Sequence, residues 1–143
     1  MALTETVPDP APLDAAGVAE VDESPGQKKS RLILAGGLLF MGVLHFVAPS
    51  FFDRIIPKWM PVGSPRTWTY VSGVWELSSA ILLATPRTRR IGAYAAAATL
   101  VAVYPANIQM AIENPPTTLV GVGMAARLPL QIPMIAWALK HRK

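Results

Sequence analysis

Four apolar runs, each eighteen residues or longer, take up most of this chain: residues 32–49, 68–85, 91–112 and 120–139. Eighteen residues of helix rise about 27 Å, close to the hydrocarbon thickness of a bilayer. Buried helices of soluble proteins can be apolar all round, but over fewer residues. The pattern predicts an all-α fold, a four-transmembrane-helix bundle over residues 30–143. Composition agrees, since only 15% of the residues are charged where a soluble domain carries about 25%.

Charge is unevenly distributed. Six of the nine acids, Glu5, Asp9, Asp14, Glu20, Asp22 and Glu23, precede every basic residue. With few large apolar side chains among them, residues 1–29 read as a disordered acidic tail. The remaining chain is basic, but its cations flank the apolar runs and form no stripe of their own. That excludes nucleic acid as a partner and favours a lipid bilayer with anionic headgroups. The chain has no cysteine, which excludes disulfides, thiol redox chemistry and cysteine-ligated metal.

The basic residues also predict orientation. Lys28, Lys29, Arg31, Arg87, Arg89, Arg90, Lys140, Arg142 and Lys143 fall on one side of the four runs. Arg54, Lys58 and Arg66 fall on the other, and Arg127 lies within the fourth run. Nine against three places both termini in the cytoplasm and the chain in the cell membrane. Residues 50–67 mix aromatic, charged and proline residues. There, Phe51, Phe52, Ile55 and Ile56 are expected to lie in the interface, with Asp53 and Arg54 outward and Trp59 and Trp68 in the aromatic belt. The short connection at 86–90 predicts that the second and third helices are antiparallel neighbours. Gly36, Gly37 and Gly42 offer surfaces for close helix approach.

Polar residues inside the runs are the candidate site. An acid at the middle of a span costs roughly 2.5–3.5 kcal/mol on insertion scales, so Glu76 requires compensation. Ser72, Glu76 and Ser79 share one helical face at i, i+4 and i+7, opposite Val71, Trp75, Leu77, Ile81 and Leu82. With the termini cytoplasmic, His45, Glu76, Asn107, Arg127 and Gln131 all fall between the outer third and the midplane. Tyr104 shares the Asn107 face. The agreement predicts an intramembrane polar cluster, His45, Glu76, Tyr104, Asn107, Arg127 and Gln131, open toward the outer face. Within it Glu76 and Arg127 are expected to pair, and Pro105 to kink the third helix just before Asn107. The plainer alternatives are a register-fixing ion pair, a packed histidine, and an asparagine that satisfies carbonyls freed by Pro105. Two histidines are too few for a haem or metal site, and no Walker, Rossmann, zincin or nucleophile-elbow spacing occurs. No metal and no catalytic residue is assigned.

Several segments together resemble the DoxX-like family of small four-span membrane proteins. They are G-V-L-H-F at 42–46, I-P-K-W-M-P at 56–61, S-G-V-W-E at 72–76, P-R-T-R-R at 86–90, Y-P-A-N-I at 104–108 and R-L-P-L-Q at 127–131. The resemblance covers roughly residues 32–140. It implies a four-helix membrane bundle. The family's name derives from a membrane subunit of a thiosulfate:quinone oxidoreductase, and other members are linked to oxidative-stress complexes or have no known activity. The resemblance brings no established catalytic residues.

Three functions follow as expectations. In the first, the chain is a redox-associated subunit that binds a quinone-like or lipid-like molecule in the polar cluster, or anchors an oxidoreductase partner. His45, Glu76 and Tyr104 would exchange hydrogen bonds or protons with the ligand, and Arg127 would stabilise negative charge. No cofactor motif is evident, a quinone is compatible, and electrons would come from the partner. In the second, the chain is a non-catalytic assembly or binding protein whose cluster is structural. The third, a small transporter or proton pathway, lacks an evident inverted repeat.

Overall fold

The computed structural model describes residues 23–60 and 63–143. The acidic stretch 1–22 lies outside the described residues, and so does the part of the tail expectation that falls on it. The described residues are helical, with no strand among them. Helix α1 spans Pro25–Val47, α2 Pro49–Asp53, α3 Pro65–Ala84, α4 Arg89–Ala102, α5 Tyr104–Glu113 and α6 Leu119–Lys140. A 3-10 turn at Pro86–Thr88 joins α3 to α4.

The helix starts follow from local chemistry. Ser24 and Gln27 form a capping box at α1, each side chain bonded to the other's main-chain N–H, and Pro25 opens the helix. Residues 25–29, assigned to the tail from composition, therefore belong to a capped helix. Ser64 caps α3, after Gly63 turns at φ +85°, and Thr118 caps α6. Helix α3 stops at the residue before Pro86, with Thr85 in the extended conformation a following proline favours.

Helix α1 packs on α3, α3 on α4, and α4 on α6, while α5 continues α4 and packs on α6. Pairings fix the directions. Ser79 meets Thr99 and Gly92 meets Leu83, so α3 and α4 are antiparallel neighbours, as the short connection predicted. The contacts of Arg31 with Leu83 and of His45 with Glu76 make α1 and α3 antiparallel too. Helix α6 returns beside the start of α1, where Trp137 donates to Ser30. We call the end holding the start of α1 and the end of α6 proximal, and the other end distal. The core contains Leu34, Leu38, Ala80, Leu83, Ala93, Ala96, Leu100 and Ala138. Its many alanines let the helices approach closely. At Gly92 an added Cβ would come within 2.2 Å of the Leu83 nitrogen.

Among the described residues, three helical stretches are long and apolar enough to cross a membrane: Pro25–Val47, Pro86–Glu113 and Leu119–Lys140. Helix α3 is long enough at 20 residues, but Glu76, its serines and its N-terminal aromatic and hydroxyl residues make it more polar. Large apolar side chains are exposed on every long helix, among them Phe40, Trp75, Ile91 and Ile132. A belt of this kind suits a lipid surrounding.

Three local expectations change. Gly42 does admit close packing, with Leu77 of α3 against it, but nothing lies near Gly36 or Gly37. Leu77 accordingly faces α1 and not the outside. Phe52 is buried under the bundle, and Asp53 turns inward, accepting from the Thr69 hydroxyl at 2.7 Å and from Arg66 Nε at 2.8 Å. The Thr69 hydrogen bond, with Arg66 beside it, holds the Asp53 carboxyl below its usual range. Phe51 and Trp59 remain exposed.

Candidate functional site

Helices α1 and α3 meet distally because Gly73 has no side chain. A Cβ there would lie 2.8 Å from the Cβ of His45 and 2.7 Å from the Phe46 ring. One turn further along α3, Glu76 faces His45, and the two are 6% and 5% exposed. The His45 ring stacks on Phe52 with centroids 3.8 Å apart. His45 Nδ1 lies 2.8 Å from the Met41 carbonyl oxygen and 3.3 Å from Glu76 Oε2. A carbonyl can only accept, so Nδ1 carries the hydrogen and directs it at Met41. The contact with Glu76 is thus electrostatic, and Oε2 receives no aligned donor from any described residue. A buried oxygen without a donor costs more than one left in water, which marks it for attention.

Helix α4 ends at Ala102 and α5 starts at Tyr104, so the interruption falls at Val103, four residues before Asn107. Pro105 sits in the first turn of α5, where a missing N–H does least harm. Leu100 is among the last four carbonyls of α4, which lack an intrahelical donor. The Gln131 side-chain amide of α6 donates to it, and Asn107 Nδ2 donates to Gln131 Oε1 at 3.0 Å. Gln131 is buried, and this relay is fully explained as backbone satisfaction across the break.

The six candidate residues therefore divide. His45 and Glu76 come together between α1 and α3. Asn107 and Gln131 come together between α5 and α6, with Tyr104 half-buried at the start of α5. Arg127 is exposed on α6, and no ion pair among the described residues joins it to Glu76. The expected Glu76–Arg127 pair is corrected by topology, because α4 packs between α3 and α6. Similar depth in sequence did not mean a shared interface.

Two polar groupings escaped the reading of the chain. Ser79 and Thr99 share a buried hydrogen bond of 3.1 Å between α3 and α4. At the proximal end Arg31 is 1% exposed. It forms two parallel bonds of 2.9 Å to the Glu23 carboxylate and two of 2.6 Å to the carbonyls of Leu83 and Ala84, which close α3. Arg89 approaches the same Glu23 at 3.5 Å and donates to the main-chain oxygen of Lys143. Ser30 Oγ accepts from Trp137 and lies 3.4 Å from Nε2 of the buried His141. Glu23 lies ahead of the Ser24 cap, outside α1, so helix periodicity carried no signal for this pair.

A family profile described as Domain of unknown function (DUF8561) matches residues 34–142. The chain belongs to that family. Comparison with curated proteins and with solved structures gives no match. The DUF8561 match takes in all six candidate residues, and also Arg89 and His141. It begins after Glu23, Ser30 and Arg31, so the Arg31 bonds to Leu83 and Ala84 and the Arg89–Glu23 contact join residues before the matched region to helices inside it. Among the described residues of this DUF8561 protein, no group of three or more His, Asp or Glu is placed to hold a metal.

Proposed function

We propose that this chain is a small multi-pass membrane protein that crosses the cell membrane four times, with both termini cytoplasmic. We assign to it an intramembrane site at His45 and Glu76 for the hydroxyl group of a quinol-like or lipid-like molecule. Helix α3 is taken as a fourth span because it packs antiparallel between α1 and α4, which belong to two of the stretches apolar and long enough to cross. The resemblance to DoxX-like proteins supports the same architecture and supplies the redox context. In that context the chain serves as the membrane subunit of an oxidoreductase partner, which would carry the electrons.

The observation that carries the reading is Glu76 Oε2, buried beside His45 with no aligned donor. An ionised carboxylate there fits a hydroxyl donor. A protonated one donates instead, which fits a quinone carbonyl. The pair can thus accept a proton from the reduced ligand and return it to the oxidised one. Arg127 has no part in this site.

The test is titration of detergent-purified protein with a decyl-tailed benzoquinol, read by thermal stability and tryptophan fluorescence. Glu76→Gln should weaken binding roughly 10- to 100-fold, the worth of one charge-assisted hydrogen bond. Ser78→Ala, on the exposed face, should leave it unchanged. Equal affinity in wild type and Glu76→Gln would sink the assignment. A second reading, a structural pair only, draws on the stacking of His45 on Phe52 and its bond to Met41. It predicts that Glu76→Gln changes the melting temperature while neither protein binds the quinol.

A further inference from the structure

Helix α6 is the least buried of the three stretches apolar enough to cross a membrane. Its inner face, with Gly121, Gln131 and Ala138, packs on α4 and α5. Val120, Gly123, Arg127, Leu130 and Met134 are exposed and follow one another at spacings of three, four, three and four. Positions repeated in this way line up as one seam along a helix, the pattern by which bundle helices pack on one another. At the middle of the seam stands a cation. Arg127 is about 12 Å along the helix from Leu119 and about 20 Å from Lys140. No hydrogen bond or ion pair joins it to any described residue. A charged side chain on the outside of a span is costly, and such residues ordinarily face another helix and a partner there. Long basic side chains reach water when they stand near a helix end, and Arg127 is more than two turns from either end.

We propose that this seam is an intramembrane docking surface for a transmembrane helix of a partner protein, one that carries a carboxylate at the depth of Arg127. The inference gives the proposed protein partner a place to dock. It rests on the proposed function only in taking α6 as a span, and it requires no ligand at Glu76. Charge selects the occupant. A carboxylate offers a guanidinium two parallel acceptors, as Glu23 does for Arg31 in this chain. A second copy does not fit. Two copies inserted in the same direction and related by a two-fold axis would set each seam residue against its own equivalent. Arg127 would then face Arg127, and like charges repel strongly at low dielectric. Nor does a second copy present a free acid at that depth among the described residues. Glu76 is buried, Asp53 is held by Thr69 and Arg66, Glu23 by Arg31, and Glu113 closes α5 at the distal end. The acids of residues 1–22 precede α1 at the proximal end, and would have to enter the hydrocarbon by about 20 Å to reach Arg127. Shape agrees with charge. Gly123 lies one turn from Arg127, and nothing stands within 4 Å of the place its Cβ would occupy, so a partner backbone can approach closely there.

The experiment places the full chain, carrying a donor dye at Thr117→Cys, in phosphatidylcholine liposomes. Acceptor-labelled leucine–alanine peptides of about 24 residues, long enough to span, are added with a single central Asp, Asn or Lys. Energy transfer should report association with the Asp peptide roughly 10-fold stronger than with the Asn peptide. Arg127→Leu should remove that preference, and Arg127→Asp should transfer it to the Lys peptide. Gly123→Leu, which the fold admits but which fills the seam, should weaken association with the Asp peptide about fivefold. Ile132→Ala, exposed on another face of α6, should leave it unchanged. Arg127→Leu should keep the helicity and melting temperature of the wild type, since Arg127 bonds to no described residue. Equal affinity for the Asp and Asn peptides, or an unchanged preference in Arg127→Leu, overturns the proposal and leaves Arg127 to water or to lipid phosphate. Self-association of the labelled chain that depends on Arg127 overturns it in favour of a second copy. Tighter binding of the Asp peptide after Glu5, Glu20, Asp9, Asp14 and Asp22 are all changed to their amides overturns it in favour of the chain's own acids. A chain that carbonate releases from the liposomes refutes the membrane reading and this surface with it, whereas an inserted chain without charge preference refutes the surface alone.

Discussion

Arg31 is the side chain on which most of the proximal end converges. It is a cation on the flank of an apolar run, and its sequence position says only that it favours the cytoplasmic side. Its burial follows from a fold-back that no local pattern announces: Glu23 precedes the helix, and the α3 carbonyls lie some fifty residues downstream. With its donors aimed at four acceptors, it is costly to truncate. Arg31→Gln should destabilise the folded protein by about 3–5 kcal/mol, because it leaves Glu23 unpaired and two helix-terminal carbonyls without their donor. A chain starting at Gln27 removes Glu23 and the Ser24 cap, and should melt well below one starting at Glu23. Equal melting temperatures would show that the pair contributes nothing. Acid should act at the same place. Burial, aided by Arg31, Arg89 and Lys140 and opposed by Glu23, holds His141 below its ordinary value of 6.5. The unfolded chain then binds the proton first, so stability falls as pH drops below 6.5. The hydrogen bond with Arg31, with Arg89 and His141 adding charge, holds Glu23 below 4.5, and its contribution is lost as pH falls through that depressed value. Melting curves from pH 7.5 downward should show both limbs, and His141→Gln should abolish only the upper one.

At the scale of elements, the apolar runs located the long helices because apolar length acts locally, but α1 and α3 begin ahead of their runs, at Pro25 and Pro65, where caps and prolines and not hydropathy set the start. Ser64 and Pro65 start α3, and Pro86 stops it. What local signals do not contain is which helix faces sit together. Glu76 and Arg127 share a depth but are separated by α4, whereas Asn107 and Gln131 share a depth and do meet. The interruption between α4 and α5 was legible from Pro105, yet it falls at Val103, since proline is best placed in the first turn of the following helix. If the Asn107–Gln131–Leu100 relay serves to satisfy that interruption, Gln131→Leu should cost about 1–3 kcal/mol. Asn107→Ala should cost less, and the double variant should cost little more than Gln131→Leu alone, because Asn107 acts through Gln131. Strict additivity in a thermal-denaturation cycle would mean the two bonds are independent.

For the whole molecule, the start of α1 and the end of α6 lie at one end, joined by Trp137 and Ser30. The nine-to-three distribution of basic residues argues for the cytoplasm. Two of the nine, Arg31 and Arg89, do structural work in the folded state, held by Glu23 and by main-chain oxygens. Orientation is set during insertion, before that work exists, so all nine count at that stage. The absence of native cysteine allows a direct check. Gly26 has open space where a side chain would begin, and Thr117 is exposed in the distal connection between α5 and α6. In intact cells an impermeant maleimide should label Thr117→Cys and not Gly26→Cys, and permeabilised cells should label both. The reverse pattern would put the proximal end, with the Arg31–Glu23 pair, outside. It would also bring the His45–Glu76 pair toward the cytoplasmic face, where a ligand would have to enter from the opposite leaflet.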